Sequence, residues 1–187
     1  MYEEGLARCR ELEDKVSIGW GLYGLGDVLW RQGDPEQGQV LAEEGMTICR
    51  EVGDKRALGW ALYVLGRMAR YQEDYGRARV LLGESLSVFR EVGELVGTAH
   101  TLELWPHLAL NSTEPARAAR LFGAAEALRQ IMGAPLPPSD RAEYERNVAA
   151  VRAQLGEEMF AAAWAEGRAM TMEQAVEYAS REEGAVV

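Results

Sequence analysis

Three groups of residues in this 187-residue sequence have types or spacings that occur at chemical sites. The stretch 19–24 matches the glycine pattern GxGxxG, which in a strand-to-helix turn lets a dinucleotide pyrophosphate approach backbone amides. His100 and His107 stand two helical turns apart, and Cys9 and Cys49 are the two cysteines. Each group needs a particular structural setting, so the elements that carry it decide whether chemistry follows.

An internal repeat indicates where these structural elements lie in the sequence. The sequence GWGLYGLG returns forty residues later as GWALYVLG, and residues 13–52 share 16 identities with residues 53–92. A divergent third copy, residues 93–132, keeps 7 identities to the second. Residues 1–12 match the end of a copy, which predicts a half repeat there.

Each copy predicts two helices. In the second copy, apolar residues recur at helical spacing over Lys55–Gln72 and over Tyr75–Val92. In the first copy, Asp34 and Pro35 suit the start of the second helix, and Gly53 suits its end. No segment predicts a strand, and a single helix pair cannot bury its own apolar face, so the pairs are expected to stack into a solenoid.

This organisation removes the nucleotide interpretation of the glycine pattern. The pattern lies inside a predicted helix, and the next copy replaces Gly21 and Gly24 with Ala61 and Val64. Phosphate loops, HExxH and G-x-S-x-G motifs are absent from the sequence. We therefore expect no cofactor and no catalytic residues.

The cysteines and histidines are equally poor candidates. Cys9 and Cys49 occupy equivalent positions in successive copies, about 10 Å apart at the spacing of packed helices, which exceeds the reach of a disulfide. Two histidines without a further nearby ligand make a poor metal site. We expect the cysteines to be small buried hydrophobic residues, and we expect no metal.

Composition restricts the partners. The sequence has 30 Asp and Glu against 20 Lys and Arg, a formal net charge of −10, which argues against a broad nucleic-acid surface in this region. Apolar runs are too short to span a membrane, and the charged N-terminus does not resemble a signal peptide. These features predict a cytoplasmic protein without membrane contact.

The repeat resembles tetratricopeptide (TPR) repeats. The period of 40 exceeds their usual 34 and falls nearer the range of HEAT and armadillo repeats, but longer helices can absorb the extra residues. The resemblance implies an all-α, TPR-like, right-handed superhelical solenoid of helix pairs. It rests on leucines and small residues at the family's positions: Leu22, Leu25, Gly26, Gly38, Ala42 and Gly45 in the first copy, and Leu62, Leu65, Gly66, Ala78, Leu82 and Ser85 in the second.

In TPR proteins the first helix of each pair lines an inner groove, and the resemblance implies a binding groove here too. Trp, Tyr and Arg are typical of binding hot spots. Packing between repeats or beneath the C-terminal cap is the alternative for Trp20 and Trp60, whereas we expect Arg67, Arg70 and Tyr71 to be exposed. The positions carried over are Trp20, Tyr23, Asp27, Trp30, Arg31, Trp60, Tyr63, Arg67, Arg70, Tyr71, His100, Glu103, His107, Leu110 and Asn111.

The period is lost after residue 133. A proline-rich break is followed by predicted helices over Asp140–Leu155, Glu157–Glu166 (ended by Gly167) and Met172–Ala179, the last with a capping box. We therefore predict repeats over residues 1–133 and a divergent C-terminal helical cap over residues 134–187, in the same domain.

The stretch from Ala118 to Ala179 also resembles the C-terminal part of large bacterial LuxR-type and signal-transduction ATPase regulators. This implies a non-catalytic protein- or peptide-binding scaffold, the regulatory or sensor region of a bacterial transcriptional or signalling regulator. A metabolite-sensing domain that uses the aromatic groove is the alternative.

The half repeat at the start adds an expectation about assembly. Its helix lacks a preceding partner, so Leu6, Cys9 and Leu12 are expected to be partly uncovered. Such an edge predicts a homodimer, or a cut from a longer protein.

Overall fold

The computed structural model describes Cys9, residues 11–108 and residues 114–181, without the side chains of His107 and Ser139. Most of the predicted half repeat, including Leu6, therefore lies outside the described residues. Strands are absent from the described part, and none of its helices is long and apolar enough to cross a membrane. The helices with both ends described are α1 (Lys15–Gln32), α2 (Pro35–Val52), α3 (Lys55–Tyr71), α4 (Tyr75–Val92), α5 (Leu95–Leu108), α6 (Pro115–Met132), α7 (Pro138–Leu155), α8 (Glu157–Arg168) and α9 (Met172–Ser180).

The chain divides into two compact units, residues 1–92 and residues 93–187. The first unit holds α1 to α4, which are the two well-matched copies of the repeat. The second holds α5 to α9. The predicted limit between repeats and cap at residue 133 stays a prediction.

Local sequence signals start and end the helices of the first unit as predicted. The Asp34 carboxylate accepts a hydrogen bond from the Gln37 amide at 3.2 Å, with Pro35 in the first turn of α2. Asp54 caps α3 in the same way through the Ala57 amide at 2.9 Å. Gly53 ends α2 with a φ of 76°, a left-handed conformation that glycine adopts without strain.

Helices α1 and α2 approach until their backbones touch. A Cβ atom built on Gly26 would lie 2.5 Å from the carbonyl oxygen of Gly38, and one built on Gly38 would lie 2.7 Å from the carbonyl oxygen of Gly26. In the second pair the glycines face side chains instead, since a Cβ atom built on Gly66 would lie 2.6 Å from Cγ of Leu82. The Ser85 hydroxyl donates to the Gly59 carbonyl at 2.9 Å. The GxGxxG stretch at residues 19–24 lies inside α1, and its first glycine, Gly19, packs against α2.

Both cysteines are free thiols. Cys49 is buried as expected, whereas Cys9 is only half-buried. Burial, with a smaller effect from the Asp54 carboxylate, raises the pKa of the Cys49 thiol to about 11. A Cβ atom on Gly19 would lie 2.7 Å from its sulfur. Cys49 is thus a neutral side chain that fills the space left by a glycine on the facing helix.

In the second unit, α6 is the central helix and contacts α5, α7, α8 and α9. Phe122 on α6 packs against Tyr144 of α7 and Trp164 of α8, at ring-centroid distances of 5.4 and 6.5 Å. The capping box at the start of α9 is present as predicted, between Thr171 and Gln174.

The predicted end of α8 at Gly167 is wrong. The helix continues to Arg168, and Gly167 is buried with its Cα turned toward the backbone carbonyl of Arg120 on α6. A glycine that permits close approach of two helices has the same sequence signature as one that ends a helix.

Candidate functional site

Two neighbouring first helices, α1 and α3, carry most of the predicted groove residues. The residues recur every three or four positions on each helix, so they share one side of it, and α1 contacts α3. We call this surface the α1/α3 face. It comprises Trp20, Tyr23, Asp27, Trp30 and Arg31 on α1 and Trp60, Tyr63, Arg67, Arg70 and Tyr71 on α3.

Trp20 both packs between repeats and reaches the surface. Its indole nitrogen donates to the Asp54 carboxylate at 3.0 Å, which ties α1 to the start of α3. Its ring lies 5.6 Å from that of Tyr23, which is buried. The residue is nevertheless 38% exposed, so the two alternatives for Trp20 are not exclusive.

Trp60 behaves differently at the equivalent position. Its ring makes edge-on contacts with Phe89 of α4 and with Tyr63, at centroid distances of 5.3 and 5.7 Å. The residue is half-buried. Trp60 therefore packs within its own helix pair and offers only part of its ring to the surface.

Arg67 is buried, contrary to the expected exposure. Its guanidinium forms an ion pair with Asp27 of α1 and lies 5.6 Å from the centre of the Tyr63 ring. Asp27 also lies 3.3 Å from the Nε atom of Arg31. Because Asp27 and Arg67 are forty positions apart, the sequence pattern did not predict this ion pair between α1 and α3.

Tyr71 is the most accessible aromatic residue of the face, whereas Arg70 is half-buried, contrary to the expected exposure. Tyr71 is 52% exposed, and the guanidinium carbon of Arg70 lies 4.4 Å from the centre of its ring. Arg31 is exposed as well, whereas Trp30 is half-buried. A cation stacked on an aromatic ring restricts the motion of both side chains, so less side-chain entropy is lost when a partner binds.

The third copy contributes a different arrangement, in the second unit. Glu103 of α5 is buried and accepts two hydrogen bonds from Arg129 of α6, at 2.5 Å from Nε and 2.6 Å from Nη2. The Nη2 atom also lies 3.3 Å from Nδ1 of His100, which is half-buried. The side chain of His107, and both Leu110 and Asn111, lie outside the described residues.

The electrostatics of this pair follow from burial. Loss of water raises the pKa of the Glu103 carboxyl, and the Arg129 guanidinium opposes that shift. Arg129 was not among the predicted site residues. It lies four residues after Ala125 and seven after Phe122, in the buried stripe of α6. An arginine in such a stripe indicates a buried acidic partner.

The polar groups described in the two units mainly join helices to each other. Within the described residues, no three His, Cys, Asp or Glu side chains gather to hold a metal ion. The charged groups that meet, Asp27 with Arg67 and Glu103 with Arg129, are ion pairs between helices. What the α1/α3 face offers is aromatic and guanidinium surface.

Comparison with known proteins agrees with this geometry. The family model described as tetratricopeptide repeat matches residues 17–91, which span α1 to α4 almost completely. Over residues 17–91 the chain is therefore similar to tetratricopeptide-repeat proteins. Such repeats stack helix pairs to expose an extended binding surface, and they serve as scaffolds for protein interaction.

Proteins named as HTH-type transcriptional regulators are similar to part of the chain. One from Mycobacterium bovis and two from Mycobacterium tuberculosis strains are each 38% identical over 88 residues. The match covers 47% of this chain and 10% of each regulator, so the chain corresponds to a small part of those proteins. No solved structure gives a significant match.

Proposed function

We propose that this chain is a non-catalytic scaffold that binds a protein or peptide on the α1/α3 face of its tetratricopeptide-repeat region. The observation that carries the proposal is the exposure of Trp20 and Tyr71 on two helices that contact each other, with the half-buried Arg70 stacked on the Tyr71 ring. Trp, Tyr and Arg dominate binding hot spots because they bury a large area and keep a polar group for hydrogen bonds.

The relatives support a regulatory role. Because they are named as transcriptional regulators, we propose that the scaffold is the regulatory region of a bacterial transcriptional or signalling regulator that acts in the cytoplasm. The formal net charge of −10 supports a partner other than nucleic acid for this region. Any DNA contact of such a regulator would lie in a different part of it.

Replacement of Tyr71 or Arg70 by alanine tests the assignment of the face. Peptides selected from a displayed random library against the intact chain serve as probes. We expect either substitution to weaken the selected peptides by roughly 2 kcal/mol, about thirtyfold, because each removes a hot-spot side chain. Fluorescence anisotropy with labelled peptides measures the dissociation constants.

Arg90→Ala is the matched control for Arg70→Ala, since Arg90 is an exposed arginine on α4. Circular dichroism and thermal melting establish that the variants are folded. If folded Tyr71→Ala and Arg70→Ala proteins bind the peptides as tightly as the parent does, the face is not the binding site.

We also propose a homodimer through the N-terminal edge. Leu12, in the turn before α1, and Val16, in the first turn of α1, are 72% and 46% exposed, respectively. Because apolar contact would hold such a dimer together, Val16→Glu should convert it to a monomer in sedimentation velocity, whereas Val80→Glu on α4 should not. A parent protein that stays monomeric at about 100 μM would refute the dimer.

A further inference from the structure

We infer that α9 is a detachable helix, which opens independently of the rest of the second unit, and that Arg117 of α6 is the residue that holds it closed. The inference concerns the second unit and does not depend on the binding face proposed for the first. It follows from how the two ends of α9 are capped, from what the helix buries and from its length.

The start of α9 is capped by residues of its own first turn. The Thr171 hydroxyl accepts a hydrogen bond from the Gln174 amide at 3.2 Å, and the Gln174 side chain accepts one from the Thr171 amide at 2.9 Å. These reciprocal bonds are local and involve no other helix. The capping box therefore does not attach α9 to the rest of the second unit.

The end of α9 is capped by a distant residue instead. The Nη2 atom of Arg117 donates to the carbonyl oxygens of Ala179 and Arg181, at 3.0 and 2.6 Å. The carbonyl oxygen of Tyr178 accepts from the same atom at 3.2 Å. The last four carbonyl groups of a helix have no partner within it, and the helix dipole also favours a cation beside them. The Arg117 side chain is only 11% exposed, so this residue fastens the C-terminal end of α9 to α6.

Between its two ends α9 buries little apolar surface. Its buried side chains, Ala175, Val176 and Ala179, are all small, and the helix packs on α5 and α6. Arg120 of α6 adds a long hydrogen bond of 3.4 Å to the Tyr178 hydroxyl. Toward α8 the helix leaves a cleft of about 330 Å³, which residues at the end of α8 and on α9 line. Few apolar contacts therefore oppose the separation of α9 from α5 and α6.

The length of α9 couples its folding to its docking. It has nine residues, and isolated helices shorter than about 12–15 residues are marginal in water. The segment therefore keeps its helical form only while it is docked, so that undocking and unfolding occur together. The second unit accordingly has a closed state and an open state, in which the surface of α5 and α6 under α9 is uncovered. A partner that binds this surface would shift the population toward the open state.

Hydrogen exchange of the intact chain, followed by mass spectrometry, tests the inference. In the parent protein we expect the amides of residues 175–180 to exchange at least about tenfold faster than the amides around Phe122 in the buried stripe of α6. Arg117→Gln should accelerate exchange in α9 by about another tenfold, because three carbonyl groups lose a charged donor. Exchange in α6 and α8 should change by less than about twofold, since these helices stay packed when α9 opens.

Arg141→Gln is the matched control, since Arg141 is an exposed arginine on α7. A second variant, Val176→Ala, removes apolar contact and leaves the cap in place, and it should also accelerate exchange in α9 alone. Circular dichroism establishes that the variants are folded. Equal exchange rates in α9 and α6 of the parent would show that α9 unfolds only with the whole unit, which overturns the inference. An Arg117→Gln protein whose α9 exchanges as in the parent, or whose α6 and α8 accelerate as much as α9, would refute the role of Arg117.

Discussion

Replacing Arg129 with methionine is expected to lower the free energy of unfolding by about 3–5 kcal/mol, since it leaves the Glu103 carboxylate buried without its cation. Both side chains are less than 10% exposed, so water cannot take the place of the guanidinium. Urea denaturation followed by circular dichroism measures the change. This is the largest effect that we expect from a single substitution in the described part of the chain.

The double variant Glu103→Leu/Arg129→Met is the control. Replacing both members of a buried pair by apolar side chains of similar volume is often neutral or stabilising, so the double variant should be far more stable than Arg129→Met. A double variant as unstable as the single one would show that the cost comes from lost packing. The ion pair would then not be what joins α5 to α6.

The dependence of stability on pH gives a second test of the ion pair between Glu103 and Arg129. A carboxyl whose pKa is raised in the fold binds a proton more tightly in the folded state, so its stabilising contribution is present at acid pH. That contribution is lost as the pH rises through the raised pKa. Arg129→Met removes the group that lowers the pKa of Glu103, so the variant should lose more stability relative to the parent in alkaline than in acid solution, while Glu103→Gln/Arg129→Met should show no such trend.

Gly26→Ala is expected to destabilise the first unit by about 2–3 kcal/mol. The added methyl group would lie 2.5 Å from the Gly38 carbonyl oxygen and 2.9 Å from the Ala42 amide nitrogen. Both are backbone atoms, so α1 and α2 must separate to admit it. That cost exceeds the gain of about 0.5–1 kcal/mol that alanine normally brings to a helix.

Gly76→Ala makes the same chemical change where there is room. Gly76 lies in the first turn of α4, and the nearest atom to an added Cβ is a carboxylate oxygen of Asp74 at 3.7 Å. We expect it to leave stability unchanged or raise it by up to about 0.5–1 kcal/mol. Equal melting temperatures for the two variants would contradict the backbone contact between α1 and α2.

Local signals and periodicity predicted the helices closely. The caps at Asp34 and Thr171 and the left-handed Gly53 depend on residues that are near one another in sequence, and the structure confirms them. The family match to residues 17–91 and the all-helical fold agree with the interpretation drawn from the repeat.

Side-chain partners were less accessible to prediction. Arg67 was expected at the surface, and its burial depends on Asp27, forty residues earlier. Glu103 likewise pairs with Arg129, which the groove pattern does not include. Charged residues that recur every three or four positions share one side of a helix. This spacing does not show whether that side faces a ligand or the neighbouring helix.

The most direct test of the account is photocrosslinking to a selected peptide. A benzophenone amino acid is placed at Tyr71 on the α1/α3 face and, in a separate variant, at Val80 on α4, both of which are more than half exposed. The account predicts that the peptide crosslinks from position 71 and not from position 80. Equal crosslinking from both positions, or crosslinking from position 80 alone, would contradict the α1/α3 face as the binding surface.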